Sequence, residues 1–253
     1  MTLRSLLLAW ALIWPATCSA GQYLIAVEAL DFSPFYDGAG REYRGYARDL
    51  LDAFSRRYHH RFTYVALPVE RLYLEFYSKR RYDFKFPDNP RWQTALKAGL
   101  TPRYSAPAVT VTESLMVRPA QRDIGFNQID TIATVRGFSA WPFRSDPWLK
   151  IVYADSTESL VNMLLGGRVD GIFFAEDSIT HYLARTGRHG LAVRADRITH
   201  YHPEFSLATL KHPEVIEQFN AFLAEEQTLI QSLQAKYGIH ADNWHAHPPL
   251  LVP

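Results

Sequence analysis

Two arginines that follow predicted strands are the side chains best suited to bind an anion. Arg91 lies next to Trp92, shortly after a strand predicted at 82–86. Its planar guanidinium can hold a carboxylate or a phosphate through two parallel hydrogen bonds, and the Trp92 indole can stack on the bound molecule. A surface arginine on a turn fits the same pattern. Arg91 and Trp92 are therefore candidate ligand-binding residues, with that alternative open.

The second arginine begins a short segment after another predicted strand, 131–135. Arg136, Gly137, Phe138 and Ser139 place a glycine at an expected helix start. Free backbone N–H groups at such a start can hold an anion. An ordinary strand-to-helix turn is the competing interpretation. Arg136, Phe138 and Ser139 join the candidate site.

Acidic, amide and aromatic side chains could line the same cleft. Asp88 and Asn89 either face a ligand or form an Asx turn before a proline. Phe35 and Tyr36 either stack on a ligand or pack beneath their own loop. Glu176 either pairs with a ligand cation or lies exposed as a helix cap. Both interpretations stay open for each residue.

No motif for catalysis or for a resident metal stands out. The sequence contains no Gly-x-Ser-x-Gly elbow, no Walker loop and no dinucleotide fingerprint. His240, His245 and His247 crowd the tail and could ligate zinc. However, no His-Glu-x-x-His pattern and no predicted rigid element supports them. We therefore predict no catalytic residues, no metal and no cofactor.

Composition excludes several classes of protein. The chain is 47% hydrophobic and 21% charged, which is typical of a globular protein and not of a disordered one. A net charge of +1 lacks the basic excess of a nucleic-acid binder. The aromatic content is high, with 14 Tyr, 15 Phe and 6 Trp residues; some of these rings belong to the core, and their number also suggests a ring-lined cleft.

The N-terminus has the layout of a secretory signal. Arg4 precedes an apolar run at 6–14, and Pro15 and small residues then lead to Ala20. The run is shorter than the ~20 residues that a membrane-spanning helix needs. We predict cleavage after Ala20 and export to the periplasm; an uncleaved anchor is the alternative. Cys18, the single cysteine, leaves with the signal, so the mature chain has no thiol.

Strand and helix patterns alternate twice along the rest of the chain, which favours two blocks of parallel sheet flanked by helices. In the second block, Ser156 or Asp155 is a plausible cap for the helix that starts there. The predicted strands are 23–27, 61–66, 82–86, 131–135, 151–153, 169–174 and 205–210, and the predicted helices are 46–58, 69–78, 156–165, 178–185 and 213–237.

Several segments resemble, in order, the extracytoplasmic solute-binding proteins of family 3, the amino-acid-binding type. Each segment by itself is too short to identify a family, and the resemblance rests on their order and spacing along the chain. The segments are SPFYD at 33–37, GYARDL at 45–50, YSAP at 104–107, IATVRG at 132–137, GRVD at 167–170 and KYG at 236–238.

The resemblance implies an α/β clamshell of two lobes, each a mostly parallel sheet flanked by helices, with a two-strand hinge. Lobe 1 would comprise 21–116 and 204–253, and lobe 2 would comprise 117–203. The crossovers would lie near residues 116–117 and 201–203. A ligand would bind between the lobes and favour their closure. Ser105, within the YSAP segment, joins the candidate site on this basis.

The chain also departs from that family. The amino-acid binders carry a Thr-x-x-Arg element whose arginine clamps the ligand carboxylate; here Arg91 is nearest but stands farther from Tyr104 than the pattern requires, whereas Arg103 stands too close. The family's acidic residue for the ligand ammonium falls by spacing on Ala175, with Glu176 next. The α-amino-acid clamp is therefore not intact.

Three functions fit this interpretation. The first is a monomeric receptor that captures a small polar solute, an amino acid or a related carboxylate, for the permease of an ABC importer. The second is a ligand-sensing partner of a membrane signalling protein. The third is an enzyme on the same fold similar to cyclohexadienyl dehydratase, which would need a buried acid/base pair such as Lys85 with Glu176. We favour the first, a binding protein rather than an enzyme.

Overall fold

The computed structural model describes residues 21–138, 140–143 and 145–239. Its strands are β1 Gln22–Glu28, β2 Asp31–Phe32, β3 Tyr36–Asp37, β4 Arg61–Leu67, β5 Phe84–Asp88, β6 Arg103–Tyr104, β7 Val109–Thr110, β8 Glu113–Val117, β9 Thr131–Val135, β10 Lys150–Ala154, β11 Gly171–Ala175, β12 Val193–Arg194 and β13 Glu204–Thr209. Its α-helices are α1 Tyr46–Arg57, α2 Val69–Tyr73, α3 Thr94–Lys97, α4 Thr157–Leu165, α5 Glu176–Arg185, α6 Pro213–Glu225 and α7 Gln227–Tyr237.

Two separate sheets form the two lobes. The first has the order β4-β1-β5-β13-β6, with β7 on β13, and the second has the order β10-β9-β11-β8-β12. In each sheet three neighbouring strands are parallel, and the next strand in the order, β13 in the first sheet and β8 in the second, pairs antiparallel with them. Helices cover the faces, so the predicted α/β clamshell is confirmed. The described residues contain no helix long and apolar enough to cross a membrane.

Periodicity and capping account for the helices. In α1, the predicted apolar positions Leu50, Leu51 and Phe54 are all buried, because a spacing of three to four residues keeps them on one face. In α4, Ser156 accepts a hydrogen bond from the backbone N–H of Ser159 at 3.1 Å. This confirms the predicted cap, which satisfies one of the free N–H groups at the helix start.

Most predicted elements differ from the structure by one or two residues at their ends, and three differ in a way that needs explanation. The helix predicted at 69–78 is α2 followed by a π-helical turn, Leu74–Ser78, and the final predicted helix is divided into α6 and α7. The strand predicted to stop before Pro87 continues through it to Asp88. The prolyl nitrogen cannot donate, but the β5–β13 ladder is irregular between Ser206 and Ala208, so no regular ladder bond is lost there.

Two chain segments cross side by side between the sheets. The N–H of Val111 donates to the carbonyl of Pro203 at 3.0 Å, and Glu113 and Tyr201 exchange two backbone hydrogen bonds of 2.8 Å. The first crossing lies before Glu113, whereas the sequence predicts it near residues 116–117. The difference arises because β8 is already paired with β11 in the second sheet.

Candidate functional site

A cavity of about 490 Å³, partly open to solvent, lies between the two lobes. Both sheets contribute to it, and most of its lining lies at the edges where parallel strands end. That edge is where ligands bind in open α/β sheets. The described lining residues are Glu28, Tyr36, Val69, Tyr73, Pro87, Trp92, Gln93, Glu113, Thr134, Gly137, Phe138, Phe173 and Phe205.

Glu28 supplies a carboxyl from the first lobe. It is the last residue of β1, which places it at the cleft, and it is 2% exposed. The Tyr36 hydroxyl donates a hydrogen bond to its Oε2. Burial raises the pKa of Glu28 to about 7, although nearby Lys85 and the Tyr36 hydrogen bond oppose the rise. The group therefore titrates near neutral pH.

Glu113 supplies a second carboxyl from the other lobe. It begins β8, and the antiparallel register sets it opposite Ala175, where β11 ends. It is 7% exposed, and no described residue donates a side-chain or backbone hydrogen bond to its carboxyl. Burial, and then the charge of Glu28, raise the pKa of Glu113 to about 8. Two carboxyls from different lobes thus influence each other across one cavity.

A buried hydroxyl adds to the polar groups of the cavity. Thr134 lies in β9 and is 1% exposed, and its Oγ1 has no hydrogen-bond partner among the described residues. A buried hydroxyl without a partner is costly to the fold. The Thr134 hydroxyl therefore lines the cavity beside the Glu113 carboxyl and is free to bond a ligand.

Aromatic rings form most of the remaining wall. Tyr36 and Tyr73 come from the first lobe, and Phe138 from the second. Trp92 packs edge-on against Phe205, with ring centroids 5.4 Å apart. Such walls favour a ligand with an apolar or cationic body.

The lobes touch at the rim of this cavity through Gly137. Gly137 has φ +89°, and a Cβ there would come within 2.9 Å of the Glu70 nitrogen and of Val69 on α2. Gln93 donates a hydrogen bond to the Gly137 carbonyl at 3.0 Å. Only glycine suits this close approach and backbone conformation.

A second contact between the lobes uses the hairpin β2–β3. The Thr157 hydroxyl donates to the Asp31 carbonyl at 2.6 Å, and Arg185 pairs with the Asp31 carboxylate at 2.5 Å. Phe32 is fully buried, stacked on Tyr36 at 5.0 Å and edge-on to Phe174 at 4.9 Å. These contacts hold the lobes in a closed arrangement around the cavity.

Two buried lysines lie beneath the cavity rather than on its wall. Lys97 donates to Asp88 at 3.0 Å, and Lys85 lies 3.7 Å from the same carboxylate. Lys85 also donates to the Pro87 carbonyl, and its Nζ lies 4.1 Å from the centroid of the Tyr73 ring. Among the described lining residues there is no Lys, Arg or His.

Three of the residues predicted from the sequence, Tyr36, Trp92 and Phe138, line the cavity. Ser139 lies outside the described residues. The others are placed elsewhere: Phe35 in the core, Asp88 in the lysine network, Asn89 in a turn where it accepts from the Arg91 N–H, Ser105 bonded to the Ala106 carbonyl, Arg91 exposed, Arg136 paired with Asp155, and Glu176 paired with Arg194.

Sequence reasoning missed Glu28, Glu113 and Thr134. A usable signal existed for two of them. Glu28 directly follows the predicted strand 23–27, and Thr134 lies near the end of the predicted strand 131–135. The rule that ligands bind at strand ends would have selected both. Glu113 begins a strand, so its place at the cleft depends on antiparallel pairing.

The site contains no arrangement suited to a metal in the part of the chain that the structure describes. No group of three or more His, Cys, Asp or Glu side chains there is placed to hold an ion. His240, His245 and His247 lie outside the described residues.

Comparisons with known proteins identify the fold. No family model matches the sequence, and the search of curated proteins finds no match. Solved structures do match. A mutant of ArgBP from T. maritima superposes with a TM-score of 0.69 at 18% identity, over 87% of this chain and 96% of that one. The periplasmic VFT2 domain of Bordetella pertussis BvgS gives 0.67 at 21%, over 85% and 93%.

A third match carries a link to enzyme chemistry. AncCDT-1, described as an ancestral amino acid-binding protein and a precursor of cyclohexadienyl dehydratase, gives a TM-score of 0.66 at 19% identity, over 86% of this chain and 95% of that one. The chain has the two-lobe fold of these binding proteins. At these identities the likeness shows the fold and leaves the function to the site itself.

Proposed function

We propose that the protein is a periplasmic solute-binding protein that captures a small polar solute between its lobes. The observation that carries this is the cavity, whose walls come from both sheets and which is lined by the carboxyls of Glu28 and Glu113 and by the unpartnered hydroxyl of Thr134. A molecule bound there contacts both lobes at once and so favours the closed state. ArgBP and AncCDT-1, matched in fold, are named as amino-acid binders, which supports a solute of that size.

The proposed recipient of the solute is a membrane protein. An ABC importer permease is the first choice, and a membrane sensor is the alternative, supported by the match to the periplasmic BvgS domain. In both cases the membrane protein needs only to distinguish the closed arrangement of the lobes from the open one. The proposal includes export through residues 1–20, cleavage after Ala20 and a monomeric state.

A thermal-shift screen tests the binding proposal. The protein exported from the full chain would be screened against amino acids, small carboxylates, polyamines, other amines and sugars. A ligand at 100 times its Kd stabilises a protein by roughly 2.7 kcal/mol, which raises the unfolding midpoint clearly. A hit that is lost when Gly137→Ala props the lobes apart supports binding between them. No shift from any compound contradicts the proposal.

A second candidate is an enzyme, favoured by one specific observation. Glu113 and Glu28 are buried carboxyls with pKa values raised to about 8 and about 7, and burial lowers the pKa of neighbouring Lys85. Groups that titrate near neutral pH suit general acid/base catalysis. A dehydratase of the cyclohexadienyl type acts on a cyclohexadiene that carries a hydroxyl and a carboxylate, and it forms an aromatic product as water and carbon dioxide leave. Incubation with such a diene, followed by ultraviolet absorbance, tests this, and the absence of product supports binding alone.

A further inference from the structure

We propose that the solute is a small organic cation, whose ammonium or guanidinium group pairs with Glu113 and Glu28 while its apolar body packs on the aromatic wall. This rests on the proposed binding function and narrows it. It also departs from the amino-acid pattern, in which an arginine holds the ligand carboxylate.

The side chains of the cavity favour a cation over a carboxylate as the recognised group. The described lining contributes two carboxyls and no basic side chain. Lys85 cannot take that role, because its Nζ is already engaged by the Pro87 carbonyl, Asp88 and the face of Tyr73, and it is 0% exposed. Arg91 and Arg136, the two arginines suited by residue type to hold an anion, are exposed and not among the described lining residues. An anionic ligand would meet no basic side chain among the described lining residues, and like charge wherever the two carboxyls are ionised.

Hydrogen bonding points the same way. The Glu113 carboxyl accepts no hydrogen bond from a described residue, and Glu28 accepts one, from Tyr36. Carboxylate oxygens accept several hydrogen bonds when ionised. The donors of an ammonium or guanidinium group would satisfy these oxygens, and the Thr134 hydroxyl could accept one more. A charged donor pairs with a buried carboxylate more strongly than a neutral one does.

The rings define the rest of the ligand. Tyr36, Tyr73, Trp92 and Phe138 line the cavity together with the two carboxyls. Ring faces attract cations as well as apolar groups. A simple inorganic cation would leave these walls uncovered, so an organic cation with an apolar body fits the cavity best.

Matched ligands test the charge requirement by titration calorimetry at pH 8. One series is 2-phenylethylamine, phenylalanine and 2-phenylethanol; the other is cadaverine, lysine and 1,5-pentanediol. Within each series the amine, the α-amino acid and the alcohol share one body. We expect the amine of at least one series to bind at least tenfold more tightly than both its partners. Equal or tighter binding of the amino acid or the alcohol overturns the proposal.

Variants locate the interaction. Glu113→Gln keeps the shape and removes the charge, and should weaken amine binding at least tenfold. Glu217→Gln, an exposed carboxyl on α6, is the matched control and should leave affinity unchanged. Should Glu113→Gln fail to fold, Thr134→Val takes its place with an expected loss of about threefold, the loss of one neutral hydrogen bond. Unchanged amine affinity in the folded variant overturns the proposal.

The outcomes separate this inference from the proposed function. If a carboxylate or a sugar from the thermal screen binds and no amine does, the receptor stands and the organic-cation inference fails. If neither the screen nor the matched series gives a ligand, both fail.

Discussion

Two sets of buried carboxyls lie close together in this protein, and they differ in how many hydrogen bonds they accept from the chain. Asp88, at the end of β5, accepts hydrogen bonds from Tyr77, from Lys97 at 3.0 Å and from the Asn89 N–H at 2.8 Å. Glu113 accepts none from a described residue, and Glu28 accepts one. All three are less than 10% exposed.

The number of hydrogen bonds that each carboxyl accepts distinguishes a structural role from a ligand-binding role. A carboxylate whose acceptor sites are filled by the chain itself holds the chain together, and two lysines depend on it for neutralisation. A carboxyl that is buried without donors costs stability, and such groups persist where a binding site needs them. We therefore assign Asp88 to the fold and propose Glu113 and Glu28 as ligand-binding residues. The sequence alone left Asp88 open between the cleft and a turn, and did not select either glutamate.

The largest effect should come from removing the satisfied carboxylate. Asp88→Ala leaves Lys85 and Lys97 buried without their counter-ion, and breaking a buried pair in this way costs about 3–5 kcal/mol. Urea unfolding would measure the loss in the free energy of unfolding. A loss below about 1 kcal/mol, typical of an exposed pair, would show that the Asp88 network is not structural.

Glu113→Gln should stabilise the protein, in contrast to Asp88→Ala, and the size of the gain should depend on pH. The pKa of Glu113 in the folded state, about 8, lies above its ordinary value of 4.5, so its contribution to stability is full below pH 4.5 and is lost as the pH rises towards 8. Glu28 is the charged group coupled to it. The glutamine of the variant cannot ionise. Between pH 5 and pH 8 the free energy of unfolding of the wild type should therefore fall by roughly 3 kcal/mol relative to that of the variant.

Urea unfolding of both proteins at the two pH values checks this, with Glu217→Gln as the exposed control. A gap between wild type and Glu113→Gln that stays constant with pH would mean that the Glu113 carboxyl is not buried in solution.

Gly137→Ala tests whether the carboxyls owe their burial to closure of the lobes. The new Cβ would meet α2 at 2.9 Å in a backbone conformation that disfavours side chains. We expect a cost to the closed state of about 1–3 kcal/mol, and a loss of ligand affinity of about tenfold or more. Small-angle scattering should show a larger radius of gyration. An unchanged radius and affinity would show that the lobes tolerate the contact.

The smallest effect should come from the ion pair between the lobes. Arg185→Ala removes the partner of Asp31, but the arginine side chain is 46% exposed, and exposed pairs contribute about 0–1 kcal/mol. Thermal unfolding should shift little, and ligand affinity should change less than threefold. A large loss of affinity would mean that the hairpin contact, and not the cavity, controls closure.

Local elements could be predicted from the sequence because they depend on near neighbours. The spacing of Leu50, Leu51 and Phe54 predicted the buried face of α1, and Ser156 marked the start of α4. Tyr36, Trp92 and Phe138 could be placed near the cleft because loops that follow strands lie there. The roles of Asp88 and Glu113 depend on contacts between segments far apart in the fold, with Lys97 and with β11 respectively, and local patterns do not contain them.

The most direct test of the central claim is a carboxyl-carbon NMR titration of protein labelled with ¹³C at its glutamate carboxyls. The account predicts two resonances that titrate well above the rest, near pH 7 and pH 8, one of them absent from Glu113→Gln. Both should move to lower pH when a binding amine is added, since a cation favours the ionised form. Glutamates that all titrate near 4.5, or high values that the amine leaves unchanged, would contradict it.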